Sequence, residues 1–332
     1  MSYRDKMIGA GLCDAPQCQI AARKLLGTVC TAGGARCPLF RGPEEAGAVL
    51  DLVQRHPAAS LRLVSDADCI PHYTTLEADD YVAMDREGVL NRARDLRVLQ
   101  RLGLAPGDTR RARYLYQLLL ERVETPQGIC ASNNPGWEGC PLARSGAYES
   151  VRALGWKALV HHRPEADMAE ARRLSVERVR GDRVLRIRPH HFMCMACWVG
   201  TTGGEGDRPD DTLDELYRRI LRDPDLEVVL VEGNCEACHC CDGFDPQTTR
   251  CVHPGGLIRD YLKDLEVFQR LGMMPGDRIN ARVLLRRLFA CVTSTTQVCG
   301  YGDGRVTSRE WSVCGGPTGD AGYTRMRETW NL

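Results

Sequence analysis

The chain has 332 residues, 17 of them cysteine, and its 44 basic residues balance its 44 acidic residues. This length predicts two domains that bury their own cores without disulfide bridges. Zero net charge gives no long-range field that attracts nucleic acid or an acidic membrane. No apolar signal segment opens the sequence, and no uncharged run is long enough to span a bilayer. These features favour a cytoplasmic location, no nucleic-acid or membrane partner, and cysteines that bind metal instead of pairing.

The sequence repeats itself at a constant offset of 169 residues. The segment 95–108, DLRVLQRLGLAPGD, returns as 264–277, DLEVFQRLGMMPGD, with ten of the fourteen positions identical. This agreement predicts a tandem duplication, with one copy in 1–150, a connector in 151–182 and a second copy in 183–332. We expect each copy to be an α+β (α/β-like) module, mainly helical, with a few short strands and a cysteine-rich metal site.

In chain order, the two copies show parallel series of predicted elements. Amphipathic patterns predict helices over 44–55 and 211–222, and short β-branched runs predict strands over 61–64 and 226–231. In each copy a second helix runs through the repeated segment and ends at a glycine, and an aspartate is expected to cap a third helix. These residues are Gly103, Gly272, Asp108 and Asp277. A charged helical pattern over 168–180 falls in the connector.

Superimposing the copies selects four cysteines in each as candidate metal ligands. The matched pairs are Cys30 with Cys197, Cys69 with Cys235, Cys130 with Cys299, and Cys140 with Cys314. Four thiolates are the ligand set of a cubane iron–sulfur cluster or of a tetrahedral zinc ion. The first copy contains no C-x-x-C pair, whereas widely separated soft ligands suit a cluster. We therefore expect one [4Fe–4S] cluster in each copy, with zinc as the alternative.

The second copy contains more ligands than one cubane requires. C-x-x-C pairs at Cys194/Cys197 and Cys235/Cys238 keep zinc open there, and the sequence leaves open which member of each pair is the ligand. The surplus suggests a larger cluster, a second metal or a reactive thiol. Three histidines are candidates for acid–base work beside the metal: His190, His191 and His239. The cysteines without an assigned role are Cys13, Cys18, Cys37, Cys240, Cys241, Cys251 and Cys291.

The segment 188–194, RPHHFMC, followed by Cys235, the Leu-Gly-x-x-Pro-Gly-Asp turn, and Trp311 near Cys314, resembles a known family. That family is a prokaryotic domain of unknown function with an Arg-Pro-His-His-Leu-Leu-Cys opening. The resemblance covers roughly residues 184–325 and, more weakly, 20–150. It implies an iron–sulfur cofactor, and the ligands that it implies in this chain are Cys194, Cys235, Cys299 and Cys314. The first copy departs from the motif, since Arg23, Lys24 and Gly27 replace both histidines and the first cysteine.

These patterns predict an iron–sulfur protein with one cysteine-ligated cluster in each copy. It would act in electron transfer, or as a redox accessory to a partner protein or larger enzyme complex. A metalloenzyme with an unusual or larger cluster in the second copy is one alternative, and a structural zinc-binding protein is another. No nucleophile and base can be paired in the sequence, so no reaction is assigned.

Overall fold

The computed structural model describes residues 17–65, 86–131, 139–247, 249–252, 260–299 and 320–330. The chain divides into two compact units, one ending at His162 and the other beginning at Arg163. Helices outweigh the small sheets in the described residues, so the architecture is mixed α+β. The segment 151–182, which was predicted to be a connector, is divided between the two units.

In the N-terminal unit, helices connect three short strands. Its elements are β1 (Gln17–Ala21), α1 (Ala22–Ala32), α2 (Pro43–Arg55), β2 (Ser60–Val64), α3 (Arg86–Leu102), β3 (Thr109–Arg111), α4 (Ala112–Arg122) and α5 (Ala147–Leu154). Short 3₁₀ turns lie at Pro141–Arg144 and Trp156–Ala158.

A three-stranded sheet with β2 in the middle organises this unit. β1 pairs with β2 in parallel, which requires a crossover connection, and α1 and α2 provide it. β3 then pairs with β2 in the antiparallel sense. Leu25, Leu26 and Val29 form the apolar face of α1 and are fully buried in the core with Leu61 of β2. Cys30 follows directly and is buried in the same core.

The C-terminal unit likewise arranges its helices around a small sheet. Its elements are α6 (Glu165–Gly181), β4 (Val184–Ile187), α7 (Pro189–Thr202), α8 (Leu213–Arg222), β5 (Glu227–Leu230), β6 (Phe244–Asp245), β7 (Arg250–Cys251), α9 (Leu262–Leu271), β8 (Arg278–Asn280), α10 (Ala281–Cys291) and α11 (Ala321–Thr329).

Here β5 is the middle strand, parallel to β4 and antiparallel to β8. α7 packs closely on α11 because both helices carry glycine at the crossing. A Cβ atom on Gly200 would lie only 1.7 Å from the carbonyl oxygen of Gly322. Tyr323 is fully buried beside this crossing, and its hydroxyl donates to the Val292 carbonyl at 2.9 Å.

The predicted helices over 44–55 and 211–222 and the strands over 61–64 and 226–231 are confirmed to within two residues. Gly103 and Gly272 adopt positive φ angles of 64° and 58° directly after α3 and α9. Left-handed backbone of this kind suits glycine and ends a helix.

The predicted aspartate caps are wrong. Asp108 and Asp277 instead close the preceding turns, where each carboxylate accepts from a backbone N–H three residues earlier, at 2.9 and 2.8 Å. The short strands β3 and β8 then intervene before the helices, because those residues pair with the sheets. Asn280 caps α10, and its side-chain oxygen accepts from the N–H groups of Arg282 and Val283.

Among the described residues, both units contain the order β–α–α–β–α–β–α–α. The C-terminal unit adds α6 before its first strand and the β6–β7 hairpin after its second strand. Each sheet has one parallel and one antiparallel pairing. The common origin of the two units by tandem duplication stays a prediction.

Candidate metal centre

The candidate centre lies where the parallel strands β4 and β5 end. β4 leads through Arg188 directly into α7, which begins at Pro189, a residue that suits the first helical position. β5 leads through Val231, whose N–H donates to the Ile187 carbonyl at 3.1 Å, towards Cys235. Because the carboxyl ends of parallel strands meet at one edge of a sheet, the first turn of α7 comes to lie against the segment that contains Cys235.

Three side chains converge at this edge. The Nδ1 atom of His191 lies 3.1 Å from the Cys235 sulfur, which lies 3.7 Å from the Cys238 sulfur. Among the described residues, these are the only three or more His, Cys, Asp or Glu side chains whose ligand atoms all lie within 4.8 Å of one another. A 3₁₀ turn at Glu236–Cys238 brings the two cysteines to the same side, since residues three apart eclipse in such a turn.

The first turn of α7 is anchored by Asp264, a fully buried residue of α9. Its Oδ2 accepts from Arg188 Nε at 2.7 Å, and its Oδ1 lies 2.6 Å from His190 Nδ1. Burial first, and the Arg188 charge after it, lower the pKa of His190 to about 4, although Asp264 opposes the shift. His190 is therefore neutral at pH 7 and donates through Nδ1. His190 therefore fixes the first turn of α7 through its bond to Asp264, and the neighbouring His191 faces the thiols.

The two thiols differ in their affinity for a proton. Burial raises the pKa of Cys235, but hydrogen bonding from Cys238 and the charge of Arg188 outweigh it, so the pKa is lowered overall. The pKa of Cys238 is raised well above its ordinary value, first by its hydrogen bond with Cys235 and then by burial. Cys235 is thus the more acidic thiol of the pair. Arg188 supplies a buried positive charge beside them.

The other candidate ligands on α7 lie further along the helix. Cys194 and Cys197 are partly buried against the core of the unit. Burial raises the pKa of Tyr323, and the charges of Cys197, Cys291 and Cys299 raise it further. The α7 side chain that joins Cys235 and Cys238 is His191, in the first turn of the helix. Cys314 lies outside the described residues.

His239 does not join the group of three. Its Nδ1 lies 3.2 Å from Arg178 Nη1, and its ring packs against Phe244 with centroids 5.2 Å apart. Burial lowers the pKa of His239. Cys240 points its sulfur towards the Ala237 carbonyl, 4.0 Å away.

Cys241 continues the tight turns after Cys238. Its N–H donates to the Cys238 carbonyl at 2.9 Å, and its sulfur accepts from the Gly243 N–H at 3.2 Å. Burial raises the pKa of Cys241 to about 12, with contributions from the charges of Cys238 and Cys251. Cys241 is not in the group formed by His191, Cys235 and Cys238.

In the N-terminal unit, three of the four candidate ligands belong to the described residues, and Cys30 and Cys130 share one core against which Cys140 packs. The N–H of Cys140 donates to the Cys130 carbonyl at 2.8 Å. Burial raises the pKa of Cys30, and the charges of Cys37, Cys130 and Cys140 raise it further. The fourth candidate, Cys69, lies outside the described residues, as does Cys13. Cys18 is on β1, where its thiol donates to the Gln19 carbonyl at 3.5 Å.

Sequence reasoning assigned no role to Arg188, Asp264 or Cys37. The sequence did contain a signal for Asp264, because this residue opens the repeated segment and matches Asp95 of the first copy. Asp95 likewise accepts from the backbone N–H of Arg23, at 2.6 Å. Another signal was the spacing C-x-x-C-x-x-C that ends at Cys241, which also occurs in bacterial iron–sulfur sites.

No protein-family model, no curated protein and no solved structure matches the chain. The resemblance to the Arg-Pro-His-His family accordingly stays a prediction. Within the described ranges, no helix is both long enough and apolar enough to cross a membrane.

Proposed function

We propose that this chain is a redox metalloprotein that exchanges electrons with a partner enzyme through thiolate-ligated metal centres. The observation that carries the proposal is the convergence of His191, Cys235 and Cys238 at one sheet edge. Cysteine thiolates and imidazole form a soft ligand set that suits iron or zinc and is ill suited to magnesium or calcium. Arg188 and Asp264 hold the first turn of α7 in register with the thiols, so the ligands are positioned before the metal arrives.

The spacing of the ligands supports one ion at this place. Two thiolates on a tetrahedral ion, each about 2.3 Å from the metal, stand about 3.8 Å apart. The sulfurs of Cys235 and Cys238 are 3.7 Å apart. Three protein ligands leave one tetrahedral position open. A redox role requires this ion to be iron, because zinc has no redox chemistry.

The test is metal analysis of the full chain purified without oxygen, together with its visible spectrum before and after dithionite. We expect Cys235→Ser to lose one iron per chain, along with the thiolate-to-iron absorption. Cys240→Ser is the matched control, since its sulfur lies in the same segment but points to the Ala237 carbonyl. Equal metal loss in both variants would contradict the assignment of ligands. Zinc in place of iron, with no reducible absorption, would refute the redox role.

Iron–sulfur electron transfer, with a cluster in the N-terminal unit, is a second candidate. The specific observation that favours it is the group formed by Cys30, Cys130 and Cys140, whose charges act on one another. These residues come from α1, the loop after α4 and the loop before α5. Acid-labile sulfide tests this candidate, because a single ion contributes none. Iron without sulfide would exclude it.

A further inference from the structure

We infer that Cys37 is the fourth thiolate of an iron–sulfur site in the N-terminal unit, together with Cys30, Cys130 and Cys140. The inference rests on the second candidate function above, a cluster in this unit, and it names the residue that completes the cluster's ligand set. The sequence comparison had offered Cys69 for that role and left Cys37 without one.

Cys37 lies against the same face of α1 as Cys30. A Cβ atom built on Gly27 would meet the Cys37 sulfur at 3.0 Å and the Phe40 ring at 2.9 Å. Gly27 precedes Cys30 by three residues, and residues three apart are neighbours on a helix surface. The Cys37 sulfur therefore occupies the space that a side chain at position 27 would take, one turn from Cys30. Cys37 is itself buried, with 9% of its surface exposed.

Cys30 and Cys130 are buried in one apolar core, and Cys140 packs against it and donates its N–H to the Cys130 carbonyl at 2.8 Å. The electrostatics agree with this arrangement. After burial, the charges of Cys37, Cys130 and Cys140 raise the pKa of Cys30. The pKa of Cys130 is likewise raised by burial and by the charges of Cys140 and Cys37, while Arg94 opposes this. The charge of Cys140 also raises the pKa of Cys37. Each pair among the four thiols therefore contributes to one of these pKa shifts.

Arg94 helps to hold this group together. Its Nη2 atom donates to the Cys130 carbonyl at 3.3 Å, and the residue is buried. Its charge lowers the pKa of Cys37 and of Cys130 against the effect of their burial. A buried guanidinium beside a group of thiols offsets the negative charge that the thiolates of a metal site bring.

The spread of the four sulfurs favours a cluster over a single ion. Thiolates around one tetrahedral ion stand about 3.8 Å apart. Although Cys30, Cys37, Cys130 and Cys140 all belong to the described part of the chain, no three of their sulfurs lie within 4.8 Å of one another. Four cysteines that lack the close spacing of a single-ion site match the Cys₄ ligation of an iron–sulfur cluster.

The C-terminal unit offers an explanation for the position of Cys37. At the offset of 167 residues that aligns Cys30 with Cys197, Gly27 aligns with Cys194. The C-terminal unit has no cysteine between Cys197 and Cys235, so it has no counterpart of Cys37. Each unit thus supplies one thiol near the helix position of Gly27. In the C-terminal unit it is Cys194, on the helix itself, and in the N-terminal unit it is Cys37, from the loop that follows the helix.

The test uses the full chain, reconstituted with iron and sulfide without oxygen, and measures both elements per chain. We expect Cys37→Ser to lose about four iron and four sulfide relative to wild type, the content of one cubane. Cys69→Ser should keep them, as should the control Cys18→Ser, whose thiol lies on β1. Retention in Cys37→Ser with loss in Cys69→Ser would overturn the inference while leaving the cluster in place. Loss in both would also overturn it, since the set would then exceed these four residues.

A rescue variant separates ligation from folding. The double substitution Gly27→Cys with Cys37→Ala moves the thiol to the helix, as at Cys194, and frees the space that the Cys37 sulfur occupied. The Phe40 ring is the end of a flexible side chain and can shift. We expect the double variant to regain the iron and sulfide that Cys37→Ala alone has lost. Absence of rescue in a protein with wild-type circular dichroism would contradict the inference. Absence of sulfide in the wild type would instead refute the iron–sulfur candidate itself.

Discussion

Replacing Asp264 by asparagine tests whether the buried Arg188–Asp264–His190 group stabilises the C-terminal unit. Asp264 is fully buried, Arg188 is 4% exposed, and their closest atoms are 2.7 Å apart. Asparagine has nearly the same shape but removes the negative charge, and its NH₂ group would face either Arg188 or His190, both of which are donors. An uncompensated buried charge costs about 3–5 kcal/mol. The free energy of unfolding of a single domain is about 5–15 kcal/mol. We therefore expect Asp264→Asn to remove a large part of the stability of this unit.

Amide hydrogen exchange measures this effect locally, which is needed because two units do not unfold as one two-state system. We expect the most protected amides of α7 and α9 to lose about 3–5 kcal/mol of protection, the cost of the unpaired buried charge. Asp95→Asn is the matched control, because Asp95 is equally buried and binds Arg23 in the N-terminal unit. It should weaken α1 and α3 while leaving α7 and α9 unchanged. A loss below about 1 kcal/mol for Asp264→Asn, the level of an ordinary hydrogen bond, would refute the argument.

Two further predictions concern the C-terminal unit. Gly200→Ala should lower the free energy of unfolding of that unit by more than about 2 kcal/mol, because the added Cβ meets the Gly322 carbonyl. Gly47→Ala, on an open helix face, should instead stabilise the N-terminal unit by about 0.5–1 kcal/mol. Amide hydrogen exchange measures both changes unit by unit. Hydrogen bonding to Arg180 lowers the pKa of Glu215, so its carboxylate stabilises the folded unit above the ordinary pKa, and this contribution is lost as the pH falls through the folded value. Glu215→Gln should therefore flatten the acid limb of stability against pH, and an unchanged limb would contradict the prediction.

The regular elements were accessible from the sequence because their patterns are local. The apolar stripes, the glycines that end α3 and α9, and the short β-branched strands depend on neighbours a few residues away. Local patterns also misled, since Asp108 and Asp277 resemble helix caps but bind the turns before β3 and β8. The three-residue strands that decide this have no periodicity of their own and form only by pairing with β2 and β5.

The sequence also made cysteines the candidate metal ligands, since a chain of this length buries its cores without needing its 17 cysteines for disulfide bridges. Which thiols meet was decided by tertiary structure alone. Cys235 and Cys238 reach His191 because parallel strands end at one sheet edge, and the Cys37 sulfur lies against Gly27 of α1 because a loop folds back onto the helix. The C-x-x-C spacing indicated the pair Cys235 and Cys238, but the contacts with His191 and Gly27 depend on how separate elements pack.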